Sequence, residues 1–271
     1  MIKKLRDGRG PAILFINGFL NGNNVDFDDW ERGVKKKFPN NPLYGVTWES
    51  QTLIGLSIRI AGLAALPKFS LISNLFFDDP WHDAVNKSLQ TGVLLADLFS
   101  RKEKPKNFLI GLIKLIRLIS RFGKRDEFIL MGHSLGAGVI YNTLKALLTK
   151  KEKYIRDVYL FGGAVGNDAE NWENVQRAVT GKIYNFYSAN DSVLSWFYKP
   201  VNLFMSSPIG LGKICLEKKS KKLVNVNVTE KVGGHNEYKA KLEACLDSLA
   251  QLKSKRLQAR RRLQSLIRRG G

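Results

Sequence analysis

Cysteine is nearly absent from this chain. Cys215 and Cys245 are the only two in 271 residues, with no C-x-x-C spacing and no histidine cluster beside them. Neither a disulfide framework nor a zinc site is indicated, and two buried free thiols are expected. Acidic residues are also few, 24 against 44 Lys and Arg, a formal net charge of +20. That balance favours anionic surfaces such as phospholipid headgroups or nucleic acid and says nothing about fold. No apolar stretch followed by a small-residue cleavage site opens the chain, so no secretory signal peptide is read and a cytoplasmic location is expected. Long uninterrupted apolar runs are missing as well. Residues 53–77 are broken by Arg59, Gly62, Pro67 and Lys68, and 107–123 carry Lys114, Arg117 and Arg121, so neither reads as a clean membrane span. Histidine is limited to His82, His133 and His235, which narrows any search for a general base.

What is present is a chain long enough for one large domain, with 44% hydrophobic residues to build its core. Its centre is Phe128 to Gly138, where an apolar run ends in Gly-His-Ser-Leu-Gly. The pattern is G-x-S-x-G: a strand, a sharp turn and a helix start, with Ser134 at the tip and flanking glycines because neighbours in so tight a turn must lack a Cβ. Alone it is also compatible with an ordinary connection between a strand and a helix.

The context is a succession of strands and helices. Ala12 to Asn17, Leu43 to Trp48, Phe128 to His133, Asp157 to Phe161, Lys182 to Tyr187 and Leu223 to Val228 read as strands. Asp26 to Lys37, Asp83 to Arg101, Val139 to Thr149, Trp172 to Val179 and Tyr238 to Leu252 read as helices. The alternation predicts an α/β fold with a mostly parallel central sheet and helices on both faces. Residues 1–252 form the expected domain and 253–271 a basic tail. Residues 53–77 read as a buried helix with a loop or as part of a cap over the substrate. Residues 107–123 read as a core helix or an interfacial membrane element. The tail, with eight Lys or Arg and no acid, is either a solvated helix or an attachment to anionic lipid. The aromatic stretch 193–208 either walls an acyl pocket or packs on the sheet.

A serine hydroxyl needs a general base and a carboxylate to orient that base. His133 is adjacent to Ser134 and His82 precedes it, so His235 alone fits the order Ser, Asp, His. Asp191, just past the carboxyl end of a strand, is the leading acid, with Asp168 next. Asp157 lies at the wrong end of its strand. Gly18 follows the first central strand, so the N–H of Phe19 is a candidate oxyanion donor, with that of Leu135 as its partner.

Gly18-Phe19-Leu20, Asp28-Asp29-Trp30, Trp48-Glu49-Ser50, Gly132 to Ala137, Tyr159 to Ala164, Asn190 to Leu194, Gly234-His235 and Tyr238 together resemble the α/β-hydrolase lipases of the transmembrane and coiled-coil domain-containing protein family, over roughly residues 10 to 245. The resemblance implies an α/β-hydrolase core, a Ser134, Asp191, His235 triad and hydrolysis of lipid esters, as in a lipase or phospholipase, without metal or organic cofactor. Two departures stand out: His133 occupies a position that is aromatic in many members, and Phe108 to Phe122 looks like an insertion. Expected partners are an acyl-ester substrate and an anionic membrane surface. Nucleic acid is disfavoured, since the tail lacks interleaved aromatics. A membrane-binding module that keeps the fold without catalysis is the rival reading.

Overall fold

The computed structural model describes residues 2–18, 26–48, 80–100, 127–150, 154–195, 206–218 and 220–269. Phe19, Glu49, Ser50, the segments 53–77 and 107–123, and the aromatics Trp196, Phe197, Tyr198 and Phe204 lie outside the described residues.

Seven strands form one sheet: β1 (Ile2–Arg6), β2 (Ala12–Ile16), β3 (Leu43–Val46), β4 (Phe128–His133), β5 (Ile155–Phe161), β6 (Ile183–Tyr187) and β7 (Leu223–Asn227). Their order is β1-β3-β2-β4-β5-β6-β7. β1 runs antiparallel to β3, and all other neighbours are parallel. β2 and β4 are buried along their whole length. That is why they read as continuous apolar runs rather than as alternating ones.

Side chains on the two faces of the sheet feed two cores. Leu14, Ile16, Leu130, Val158, Leu160 and Ile183 point into one. Helices α2 (Pro80–Ser100), α3 (Leu135–Leu147) and α4 (Ala169–Val175) cover it. Ile13, Phe15, Met131, Tyr159, Phe161 and Phe186 point into the other, covered by α1 (Asp28–Val34), α5 (Glu237–Ala240) and α6 (Leu242–Arg269). Tyr159, Phe161 and Phe186 pack as a row, Phe161 stacking on Phe186 at 4.6 Å. Each buried ring of this kind stabilises the fold by roughly 1.5–3 kcal/mol.

A parallel sheet with helices on both faces, an antiparallel edge strand and a sharp serine turn at the end of its central strand is an α/β-hydrolase fold. Three local readings differ from the structure. β1 adds an edge strand to a terminus that read only as charged, the closing helix read to end at Leu252 runs on to Arg269, and Cys215 is exposed while Cys245 is buried. Burial pushes the Cys245 thiol up to about 12, leaving it a neutral core group. Among the described residues no helix is long and apolar enough to cross a membrane.

Candidate active site

β4 delivers the chain to Ser134, whose backbone takes φ 56° and ψ −125°. It is the one non-glycine with positive φ among the described residues. The strain is held by packing and hydrogen bonds on both sides. Ser134 N–H donates to the Phe161 carbonyl at 3.1 Å, and the Ser134 carbonyl accepts from the N–H groups of Ala137 and Ala164, each at 3.0 Å. A Cβ on Gly136 would stand 2.1 Å from the Ile16 carbonyl oxygen, and one on Gly132 would stand 2.8 Å from the Gly136 backbone. The G-x-S-x-G spacing is therefore a packing requirement: helix α3 begins pressed against the end of β2. Leu135 is the first residue of α3, so its N–H has no partner within the helix.

Gly18 closes the other side of the turn. A Cβ there would stand 2.5 Å from Ser134 Cβ and 3.1 Å from Ser134 Oγ. The residue before it, Asn17, is anchored twice: its side-chain oxygen accepts from Trp30 Nε1 at 2.7 Å and its carbonyl from Trp48 Nε1 at 2.8 Å. These two bonds fix Asn17 at the end of β2. A Gly18→Ala variant is expected to slow acylation of Ser134 by about 10²-fold, the scale of an ångström's misplacement. Labelling kinetics with a soluble fluorophosphonate measure it.

Asp191 follows β6 and is wholly buried. Its Oδ1 accepts the N–H of Leu194 at 3.0 Å and its Oδ2 meets His235 Nδ1 at 2.7 Å. A carboxylate on Nδ1 holds the proton on that nitrogen, leaving Nε2 with its lone pair free to act as a base. The loops bearing the two residues are tied together, Ser188 Oγ–H donating to the Val232 carbonyl at 2.7 Å. Asp168, the second candidate acid, is exposed and caps α4, accepting the Asn171 N–H at 2.8 Å. Asp157 is bound to Arg156 Nε at 3.0 Å and the Lys182 N–H at 2.9 Å, at the amino end of β5. Both carboxylates are thus held in structural bonds, whereas Asp191 is held on a histidine. His82 lies in the first turn of α2, its side chain outside the described residues.

Ser134 and His235 are both nearly buried, 5% and 8% exposed. They are brought to the same carboxyl edge of the sheet. Among the described residues the Ser134 hydroxyl has no hydrogen-bond partner, and the His235 ring is bonded through Nδ1 alone. Hydrogen bonds between a nucleophile and its base are commonly long without substrate and tighten when it binds. Among the described residues no group of three or more His, Cys, Asp or Glu is placed to hold a metal ion.

Sequence reasoning set His133 aside, and the structure gives it a role. Its Nε2–H donates to the His235 carbonyl at 2.9 Å. Its ring lies 4.7 Å from the His235 ring and 5.8 Å from that of Tyr238. Residues 102 positions apart in the chain are joined by this one bond, which no local pattern signals. Burial first, and then the nearby His235, hold the His133 imidazole well below its ordinary 6.5. The unfolded chain takes up that proton below pH 6.5 while the folded chain refuses it. Folding stability therefore falls as pH drops through 6.5, by at most about 1.4 kcal/mol per pH unit. A His133→Phe variant, which keeps an aromatic ring, is expected to lose this share of the slope between about pH 6.5 and 5. Urea unfolding across that range measures the difference.

Solved α/β-hydrolase structures resemble this chain at low identity. A type II thioesterase of yersiniabactin biosynthesis, YbtT, is 14% identical with a TM-score of 0.44, over 93% of this chain and 97% of that one. Mouse alpha/beta hydrolase domain-containing protein 10 is 12% identical with a TM-score of 0.39, over 94% and 93%. The fold assignment rests on the strand order and the serine turn. Among curated proteins, an uncharacterized membrane protein of Schizosaccharomyces pombe is 29% identical over 205 residues, 74% of this chain and 23% of that protein. The transmembrane and coiled-coil domain-containing protein STS1 of rice (Oryza sativa subsp. japonica) is 26% identical over 269 residues, 89% of this chain and 36% of that protein. The chain thus spans between about a quarter and a third of the length of these relatives, and the resemblance carried by its motifs is borne out. Residues 44–251 match the family described as protein of unknown function (DUF726), and the chain belongs to that family.

Proposed function

We propose that the chain is a serine carboxylic ester hydrolase acting on lipid esters, as a lipase or phospholipase does. The observation that carries this reading is the buried Asp191–His235 pair at 2.7 Å, which holds the His235 ring through Nδ1 at the same sheet edge as the strained Ser134 turn. In the reaction, Ser134 Oγ attacks the ester carbonyl carbon while His235 Nε2 takes the hydroxyl proton. The imidazolium, held by Asp191, returns that proton to the departing alcohol, leaving an acyl-enzyme. Water then attacks the acyl carbon, again giving its proton to His235, and Ser134 is restored. Leu135 N–H, and Phe19 N–H from the loop after Gly18, hold the oxyanion. Each such donor is worth roughly 2.7–4 kcal/mol in sites of this type.

Lipid esters are preferred among acyl substrates because the chain is strongly basic and its relatives carry membrane names. The test is hydrolysis of short soluble p-nitrophenyl esters beside glycerophospholipids in vesicles, with Ser134→Ala protein as the blank. Activity above the blank on long-chain substrates supports the reading. Activity confined to the short soluble esters moves the substrate class away from lipids, and none on any ester refutes it.

A second reading has its own observation. The missing bond from Ser134 to His235, together with the basic end of α6, fits a membrane-binding module that keeps the fold without catalysis. Vesicle binding with no fluorophosphonate labelling is its expected result.

A further inference from the structure

Helix α6 changes character halfway along. From Leu242 to Leu252 it carries Glu243 and Asp247 and no basic residue; from Lys253 to Arg269 it carries eight Lys or Arg and no acid. The first half is bound to the body. Leu242, Cys245, Leu246 and Leu249 are buried, and Lys36 of the adjacent loop reaches Glu243 and Asp247, each at 3.4 Å. Lys253 is the last side chain seen on the body among the described residues, its ammonium 5.1 Å from the centre of the Tyr184 ring and 3.3 Å from the hydroxyl. Beyond it Lys255, Leu257, Arg261 and Arg262 are exposed. The helix continues unbroken to Arg269, about 24 Å at 1.5 Å per residue.

The direction of this arm follows from what α6 touches. Its first residue packs on Gly33 of α1, and α1 descends from the carboxyl edge of the sheet to β3. α6 starts just after His235 at that same edge and descends beside α1, reaching Tyr184 near the amino end of β6. The basic half therefore leaves the body at the end of the sheet opposite Ser134.

We propose that residues 254–269 are an arm that docks on an anionic lipid bilayer and is separable from the Ser134 edge. On an unbroken helix, positions 252, 259, 263, 266 and 267 share one face, occupied in sequence by Leu, Ala, Leu, Leu and Ile, with Arg256 toward its edge and the other basic positions, beside Leu257, around the rest of the circumference. This is the pattern of a helix that lies in the headgroup region. No aromatic residue occurs from 253 to 271, so the arm offers no platform for stacking bases, as single-stranded nucleic acid binders do.

Sedimentation with vesicles of phosphatidylcholine containing about one third phosphatidylserine, and with pure phosphatidylcholine, tests it. The full chain is expected to bind the anionic vesicles and not the neutral ones. The Lys255→Glu, Arg261→Glu, Arg262→Glu triple variant is expected to bind about 10²-fold more weakly, at least the loss set by its three exposed charges. A chain ending at Leu252 serves as the second variant. In both, labelling of Ser134 by a soluble fluorophosphonate is expected to match the full chain, which distinguishes loss of the arm from loss of the hydrolase fold. Equal binding by the triple variant, equal binding to neutral vesicles, or displacement from anionic vesicles by single-stranded RNA at low concentration overturns the proposal. Loss of labelling together with binding overturns the separation of the two ends.

Discussion

Ester hydrolysis by Ser134→Ala or His235→Ala protein is expected to fall by about 10⁶-fold, the scale on which a serine hydrolase loses its nucleophile or base. Both variants reach the same floor because neither group acts without the other. A hydroxyl without a base is a poor nucleophile at neutral pH, and a base without a hydroxyl has nothing to deprotonate. The double variant is accordingly no slower than either single one, and this non-additivity separates a shared chemical step from two independent contributions to binding. Ser134→Ala removes one oxygen and keeps the Cβ that packs beside Gly18, so thermal unfolding of this variant stays near that of the parent. A loss of activity with an unchanged melting temperature identifies chemistry rather than folding as the cause. Full retention of hydrolysis in either variant contradicts the assignment.

The second large effect concerns the carboxylate. Asp191→Asn is expected to lower kcat by about 10⁴-fold. An amide preserves the shape and leaves its oxygen or its nitrogen to face His235 Nδ1. If nitrogen faces the ring, the proton moves to Nε2 and the base is lost. If oxygen does, the imidazolium formed during acylation is left without its countercharge, in a site where Asp191 is wholly buried. Asp168→Asn makes the control. That side chain caps α4 through a single exposed bond, and asparagine is an equally good cap, so stability shifts by no more than a few tenths of a kcal/mol. Activity is expected to be unchanged. The opposite ranking, with Asp168→Asn the slower enzyme, would move the acid to the loop after β5.

How far these assignments are legible in the sequence depends on the range over which each is encoded. Ala12 to Ile16 and Phe128 to Met131 are apolar without a break because both faces of the sheet are covered, and the run itself reports that burial. Ser134 is legible because the constraint acts within five residues: a Cβ at 132 or 136 collides with backbone. Asp191 was separable from Asp157 because one follows its strand and the other begins it, a distinction that needs only the strand boundaries.

What escaped the sequence is of longer range or weaker pattern. β1 pairs along the edge with no fully buried side chain, and the consecutive exposed Lys3 and Lys4 hide it among charges; its partner Leu43 to Val46 lies about forty residues on. His133 looked spare because its acceptor, the His235 carbonyl, is distant in the chain. The basic change at Lys253 read as a boundary, yet glutamine, alanine, arginine and leucine are all good helix formers, and α6 runs through it. Cys215 was expected inside because free cysteine usually is, and the loop after Ile214 instead leaves it exposed.

The central claim is that Ser134 is the nucleophile of a working acyl-transfer site, and stoichiometric labelling by a fluorophosphonate with mass mapping of the adduct tests it most directly. The predicted result is one adduct per chain, on the peptide containing Ser134, absent from Ser134→Ala protein and formed far more slowly in His235→Ala. No adduct on correctly folded protein, or an adduct mapped to any other residue, contradicts it.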